Sequence, residues 1–226
     1  MEALRVKAVI LAGGLGTRMR PYTLFVPKPM LPLGDRPVLE HLIEWLKTHG
    51  VKDLAICVGY LRRIIEDYFE DGKEQGVKIT YIRTHRPMGT AGQLKSAEGY
   101  VNETFICVYG DSVFDFDLRK VVQFHKSKKA LATICVMPYK ATSKYGFIDV
   151  DKNGLVNIGC YMMEPSFFKY IPPNVMFGMD IAFQRALEAG KPMYGYKVKG
   201  EFMDIGDRKA YTSAYEKYLS RLGRIL

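Results

Sequence analysis

Residues 10–20 read ILAGGLGTRMR, and VPKPMLP follows at 26–32. An apolar, β-branched run that begins at Val6 passes directly into Gly13, Gly14 and Gly16, with Thr17, Arg18, Arg20 and Lys28 close behind. Glycine lets backbone N–H groups point into a cavity without Cβ obstruction, and successive N–H groups form a nest suited to phosphate oxygens. Arg18 adds a planar fork of donors and Lys28 a mobile point charge. The stretch predicts a first strand that ends in a turn shaped for a polyphosphate.

Outward from this strand, short β-rich runs alternate with amphipathic helical patterns. Helices are expected over 38–49, 62–69, 92–100 and 118–127, and strands over 54–58, 78–82, 105–109 and 131–137. Leu39, Leu42, Ile43 and Leu46 share one face of the first helix, and Gly50 stops it. Strands bridged by helices imply parallel pairing with right-handed crossovers, so the expected fold is α/β, Rossmann-like and three-layered, with a mostly parallel mixed sheet. After residue 137 the pattern changes. YGFIDVDKNGLV predicts a small hairpin turning at 151–154, followed by a helix over 179–189, a strand over 193–198 and a closing helix over 208–222. Ligands of such sheets bind beyond the carboxyl ends of the strands, which directs attention to the loops after Leu11, Ile82 and Tyr109.

Composition narrows the function. The 226 residues are 48% hydrophobic and 25% charged, as in ordinary globular domains, and a chain of this length can bury one sizeable core. No run approaches the roughly 18–20 apolar residues that span a bilayer, and the N-terminal apolar stretch is too short for a secretion signal. The net charge of +9 suits an anionic ligand, but the cations are dispersed and lack an aromatic RNA-binding signature, so nucleic acid is not expected. Cys57, Cys107, Cys135 and Cys160 sit in apolar surroundings without metal-ligand spacing. They read as reduced core cysteines of a cytoplasmic protein.

Two familiar phosphate loops fail on residues. A Walker loop closes on Gly-Lys-Ser/Thr, where this chain has Arg18 and Met19. A dinucleotide fingerprint needs a third glycine at Met19, and Asp35 lies before a helix instead of after a second strand. The longer stretch LAGGLGTRMRPYT (11–23) with PKPMLPLGDRPVLEHLI (27–43) resembles the signature of the sugar-1-phosphate nucleotidyltransferases, GxGTRxxPxT followed by PKPxxP. MGTAGQL (88–94) resembles that family's LGTAG loop, YGD (109–111) its strand-ending Gly-Asp, KYGFIDVDKNG (144–154) its sugar-side hairpin and FMDIGDRKAY (202–211) its closing W-x-D-I-G-T motif.

The resemblance implies transfer of a nucleoside monophosphate from an NTP to a sugar 1-phosphate, in a single catalytic domain over 1–226 without an appended β-helix domain. By matched position, Arg18, Lys28 and Asp111 carry catalysis. Leu11, Ala12, Gly13, Gly14, Gly16, Thr17, Gly89 and Thr90 bind the nucleotide, Gly146 and Asn157 face the sugar, and Asp111 with Asp204 holds Mg²⁺. Two hard carboxylates with water and phosphate completing the shell are what Mg²⁺ prefers. Asp115, Asp117 and Asp207 are weaker candidates. Asp117 is expected to cap a helix, and Asp207 stands where the family has Thr.

The pattern also breaks. The family's F-x-E-K-P segment has no counterpart between Val156 and Asn157: either it is a loop of the polypeptide absent from this sequence, the favoured reading, or it is deleted, leaving Lys197 or Lys199 as substitutes for its lysine. The base-reading Gln or Glu is replaced by Thr84. The motifs lean towards mannose-1-phosphate guanylyltransferases, while thymidylyl- and uridylyltransferases share most of them. A regulatory subunit that binds nucleotide-sugar with little turnover, and a transferase with a non-sugar phosphorylated acceptor, are the alternatives. Relatives are commonly oligomers, so a homo-oligomer is possible.

Overall fold

The computed structural model describes residues 4, 6–138 and 154–222. The chain begins with β1 (Lys7–Leu11), crosses a small ribbon of β2 (Pro32–Leu33) and β3 (Arg36–Pro37), and enters α1 (Val38–Thr48). Next come β4 (Asp53–Val58), α2 (Arg62–Phe69), β5 (Lys78–Arg83), α3 (Gly89–Ser96), β6 (Phe105–Tyr109), β7 (Ser112–Phe116), α4 (Leu118–Lys128) and β8 (Ala132–Pro138). The last part holds β9 (Leu155–Met163), α5 (Met179–Glu188), β10 (Met193–Lys197), β11 (Gly200–Asp204) and α6 (Arg208–Leu222).

Seven strands form one sheet in the order β10-β8-β9-β6-β1-β4-β5. The pairs β1·β4, β1·β6, β4·β5 and β8·β10 are parallel, and β9 runs antiparallel between β6 and β8. Period-2 alternation divides the core into two layers. Ala8, Ile10, Leu54, Ile56, Ile106 and Val108 face α1, α2 and α4, whereas Val9, Leu11, Ala55, Cys57, Phe105 and Cys107 face α3 and α5. The expected three-layer α/β architecture is thus present, with mixed strand direction supplied by β9.

Two local signals fulfil their sequence reading. Gly50, at φ +84, ends α1, and Val51 N–H closes back on the Leu46 carbonyl at 3.0 Å. The Asp117 carboxylate accepts the Arg119 N–H at 3.1 Å at the start of α4. One reading needs correction, and two features were not anticipated. Helix α3 begins at Gly89 instead of residue 92, because the Phe177 carbonyl accepts the N–H groups of Ala91 (3.0 Å) and Gly92 (3.2 Å) from outside the helix. Residues 112–116 and 200–204, to which the sequence assigned no element, form β7 and β11, which pair antiparallel as a ribbon outside the main sheet. The junction between Val156 and Asn157 lies inside continuous β9, where they stand opposite Met137 and Val136. Most of the expected hairpin, including Gly146, lies outside the described residues.

The chain leaves β1 for β4 on one side and returns to β6 on the other. A crevice therefore opens beyond the carboxyl ends of β1 and β6, the switch point of the sheet. A third cluster of buried side chains, including Met19, Leu33, Val38, Met203, Ile205 and Ala214, closes one flank of that crevice.

Candidate active site

The crevice holds a cavity of about 450 Å³. Leu11, Ala12, Gly13, Gly14, Gly16, Thr17, Arg18, Lys28, Gly89, Thr90 and Asp111 all line it. Segments far apart in the chain are thus brought together at the place the sequence motifs indicate.

The glycine turn is built differently from a simple nest. Ala12 N–H donates to the Cys57 carbonyl at 2.9 Å, and Gly13 N–H donates to Gln93 Oε1 at 2.8 Å. These two amides are committed inside the protein, so the turn offers its amides to a ligand from Gly14 onward. A Cβ on Gly14 would meet nothing within 4 Å, which leaves its place open to a ligand. Gly16 is required by backbone geometry: its φ is +62, and a Cβ would lie 2.9 Å from Thr23 Cγ2. Thr23 Oγ1 also donates to the Gly16 carbonyl at 2.8 Å. Met19, fully buried in the flanking cluster, anchors the next turn and leaves Arg18 exposed at the rim.

At the polar end, Lys28 is buried in a single 3-10 turn and its ammonium is ion-paired with the Asp111 carboxylate. The β7·β11 ribbon sets Asp204 opposite Ser112, next to Asp111, and Ile205 N–H reaches the Asp111 carbonyl at 3.4 Å. Met203 and Ile205 are buried on either side of Asp204 and fix its backbone. Burial, and then the negative charge of Asp111, raises the Asp204 carboxyl to about 7, with Lys28 opposing the shift. Asp204 Oδ2 would lie 2.5 Å from a Cβ at Gly206, a cavity-lining glycine. Among the described residues no group of three or more His, Cys, Asp or Glu side chains could hold a metal ion, so a cation here would have these two carboxylates and oxygens from outside the chain.

The weaker acidic candidates have other work. Asp207 Oδ1 accepts the Ala210 N–H at 2.9 Å, and such backbone bonds at the start of α6 hold its carboxyl below the usual range. Asp115 lies exposed on β7. Asn157 does not line the cavity: its amide donates to Tyr161 Oη at 2.8 Å and accepts from Gly159 N–H at 2.9 Å. Thr84 is buried with its hydroxyl donated to the Val58 carbonyl at 3.2 Å.

Sequence reasoning did not single out Gln93 or Tyr109, both of which line the cavity. Gln93 is 7% exposed and bridges the Gly13 N–H to the Gly89 carbonyl, the latter through Nε2 at 3.3 Å. A buried amide one helical turn beyond Gly89 in MGTAGQL is the signal that could have found it.

A doubly covered α/β sheet, with a glycine turn, two cations and two carboxylates at its switch point, defines the class of phosphate-binding α/β domains. The chain belongs to the nucleotidyl transferase family, whose sequence model matches residues 7–221. It is 34% identical to a UTP–glucose-1-phosphate uridylyltransferase of Synechocystis, over 96% of this chain and 64% of the relative. It is 32% identical to a mannose-1-phosphate guanyltransferase of Yarrowia lipolytica, over 97% of this chain and 66% of the relative. The chain thus spans about two thirds of the length of these relatives. The solved structure of HddC from Yersinia pseudotuberculosis superposes with a TM-score of 0.82 at 27% identity, covering 94% of this chain and 99% of that one. The alignment to the Synechocystis relative runs over 249 positions, more than this chain possesses, so that relative carries residues without counterpart here. No helix among the described residues is long and apolar enough to cross a membrane.

Proposed function

We propose that the chain transfers a nucleoside monophosphate from an NTP to a sugar 1-phosphate, releasing pyrophosphate. The observation that carries this reading is the meeting of Lys28 and Asp111 with the glycine turn in one cavity, with Asp204 on the ribbon strand next to Asp111. An oxygen of the acceptor phosphate attacks the α-phosphorus, the bond from that phosphorus to the bridging oxygen breaks, and pyrophosphate departs opposite. A sugar phosphate ionises with a second pKa near 6, so its nucleophilic oxygen needs no general base at neutral pH. Catalysis then rests on positioning and charge neutralisation.

Amides from Gly14 onward, with Arg18, hold the β- and γ-phosphates, and Arg18 stabilises the leaving group. Lys28 moves from Asp111 to the α-phosphate as charge builds there. Leu11, Ala12, Gly13, Gly16, Thr17, Gly89 and Thr90 shape the nucleoside end. Asp111 and Asp204 fit Mg²⁺, because two adjacent carboxylates, one resisting ionisation, favour a shared cation. Bound there, the ion would neutralise triphosphate charge that Arg18 and Lys28 leave uncompensated. Gly146 remains the sugar-side residue of this reading, and Asn157, which does not line the cavity, acts through Tyr161.

Incubation with each NTP, Mg²⁺ and a panel of sugar 1-phosphates, with pyrophosphate measured, tests the reading. GTP with mannose 1-phosphate is the first pair to examine, followed by UTP with glucose 1-phosphate. Tight nucleotide binding without pyrophosphate under any pairing, with phosphocholine included as acceptor, would replace it by a regulatory nucleotide-binding role.

A further inference from the structure

Three polar side chains running from β9 towards the cavity form a hydrogen-bond chain whose direction is fixed from one end. Asn157 Oδ1 must accept, because its partner is the Gly159 N–H at 2.9 Å. Asn157 Nδ2 therefore donates to Tyr161 Oη at 2.8 Å. With that oxygen receiving a proton, Tyr161 turns its own proton to Tyr109 Oη, 3.1 Å away. The Tyr109 oxygen is thus occupied by the Tyr161 proton, and Tyr109 keeps a proton of its own to donate. Tyr109 and Thr90 both line the cavity, and Thr90 Oγ1 accepts the Met179 N–H at 2.9 Å.

The ring that carries this hydroxyl is held from below. Gly159, at φ +71, packs so closely that a Cβ would stand 2.6 Å from Tyr109 Cδ2, and Tyr161 meets the ring edge-on with centroids 5.8 Å apart. A buried donor with fixed direction rejects any ligand that cannot accept from it, since pairing elsewhere is closed to it.

We propose that Tyr109 is a specificity-determining residue that donates to an acceptor oxygen of the bound nucleoside, and that Asn157 sets its direction from outside the cavity as a positioning residue. This rests on the nucleotide-binding reading above.

Isothermal titration with UTP and GTP in the presence of Mg²⁺ tests it. Tyr109→Phe keeps the ring and removes the proton. It should weaken the preferred nucleotide roughly tenfold. Asn157→Asp keeps the shape but accepts from both Gly159 and Tyr161, so the chain reverses and Tyr109 turns away from the ligand. It should weaken the same nucleotide comparably, and the double variant should be no weaker than either alone. Loss of the Tyr109→Phe effect with the 2′-deoxy nucleotide would put the contact at the ribose, and its persistence at the base. Unchanged nucleotide affinity in Tyr109→Phe, or a defect confined to the KM of the sugar 1-phosphate, overturns the proposal while leaving nucleotide binding intact. Failure of the wild-type chain to bind either nucleotide overturns both.

Discussion

Asp204 stands opposite Ser112 in the β7·β11 ribbon, where burial, and then the negative charge of Asp111, raises its pKa to about 7. The unfolded value is 3.8, so between these two values the folded chain retains a proton that the unfolded chain has lost. The contribution to stability is complete below 3.8 and disappears as pH rises through about 7. Asp204→Asn is neutral at every pH. Thermal melts should show it more stable than wild type at pH 8, by on the order of a few degrees, with the gap closing towards pH 4. A gap that is constant across this range would mean that Asp204 is ionised throughout.

Asp111→Asn should lower turnover at least about a hundredfold, the scale of losing one preorganised charge-stabilising group, with the fold retained by circular dichroism. Near-normal pyrophosphate release would remove Asp111 from the mechanism.

Arg18 sits exposed at the rim beside buried Met19, so its replacement should leave stability almost unchanged. Arg18→Ala should cost on the order of a hundredfold in kcat/KM. Arg18→Lys should not restore it, because the bidentate fork is gone. Full rescue by lysine would reduce Arg18 to a diffuse positive charge.

Gly89 occupies φ +66, and a Cβ there would fall 2.5 Å from the Phe177 carbonyl oxygen that caps α3. Gly89→Ala should therefore destabilise by about 1–3 kcal/mol, read as a lower urea midpoint, and raise the KM for nucleotide together with it.

Gln93→Leu strands the buried Gly13 N–H and should cost about 1–3 kcal/mol, whereas Gln93→Glu retains the acceptor and should recover most of that loss. Equal urea midpoints for the two variants would show that the bond to Gly13 contributes little.

Much of this architecture could be read directly from residue order. Helix α2 coincides with the expected span, and β1, β4, β5 and β6 lie within one residue of theirs, because their periodicity is local and strong. The ribbon was invisible for the opposite reason. SVFDF and GEFMD are five residues each, and neither is a strand until the other arrives. The start of α3 was misplaced because its cap comes from Phe177, remote in sequence. Arg18 and Lys28 stood out as phosphate donors around the glycine turn, and Asp111 and Asp204 were singled out through motif resemblance, which compresses three-dimensional constraints into spacing. Gln93 and Tyr109 stayed hidden, since their importance lies in partners such as Gly13 and Tyr161 that no spacing connects.

The β7·β11 ribbon also orders events during biosynthesis. Residues 7–116 already contain the glycine turn, Lys28 and Asp111, yet the strand that delivers Asp204 is translated only at 200–204, and the α6 residues that seal the flank come later still. A chain halted before residue 200 therefore lacks both Asp204 and the Met203, Ile205 and Ala214 side chains that close the flank, so the second carboxylate and the wall behind it arrive together.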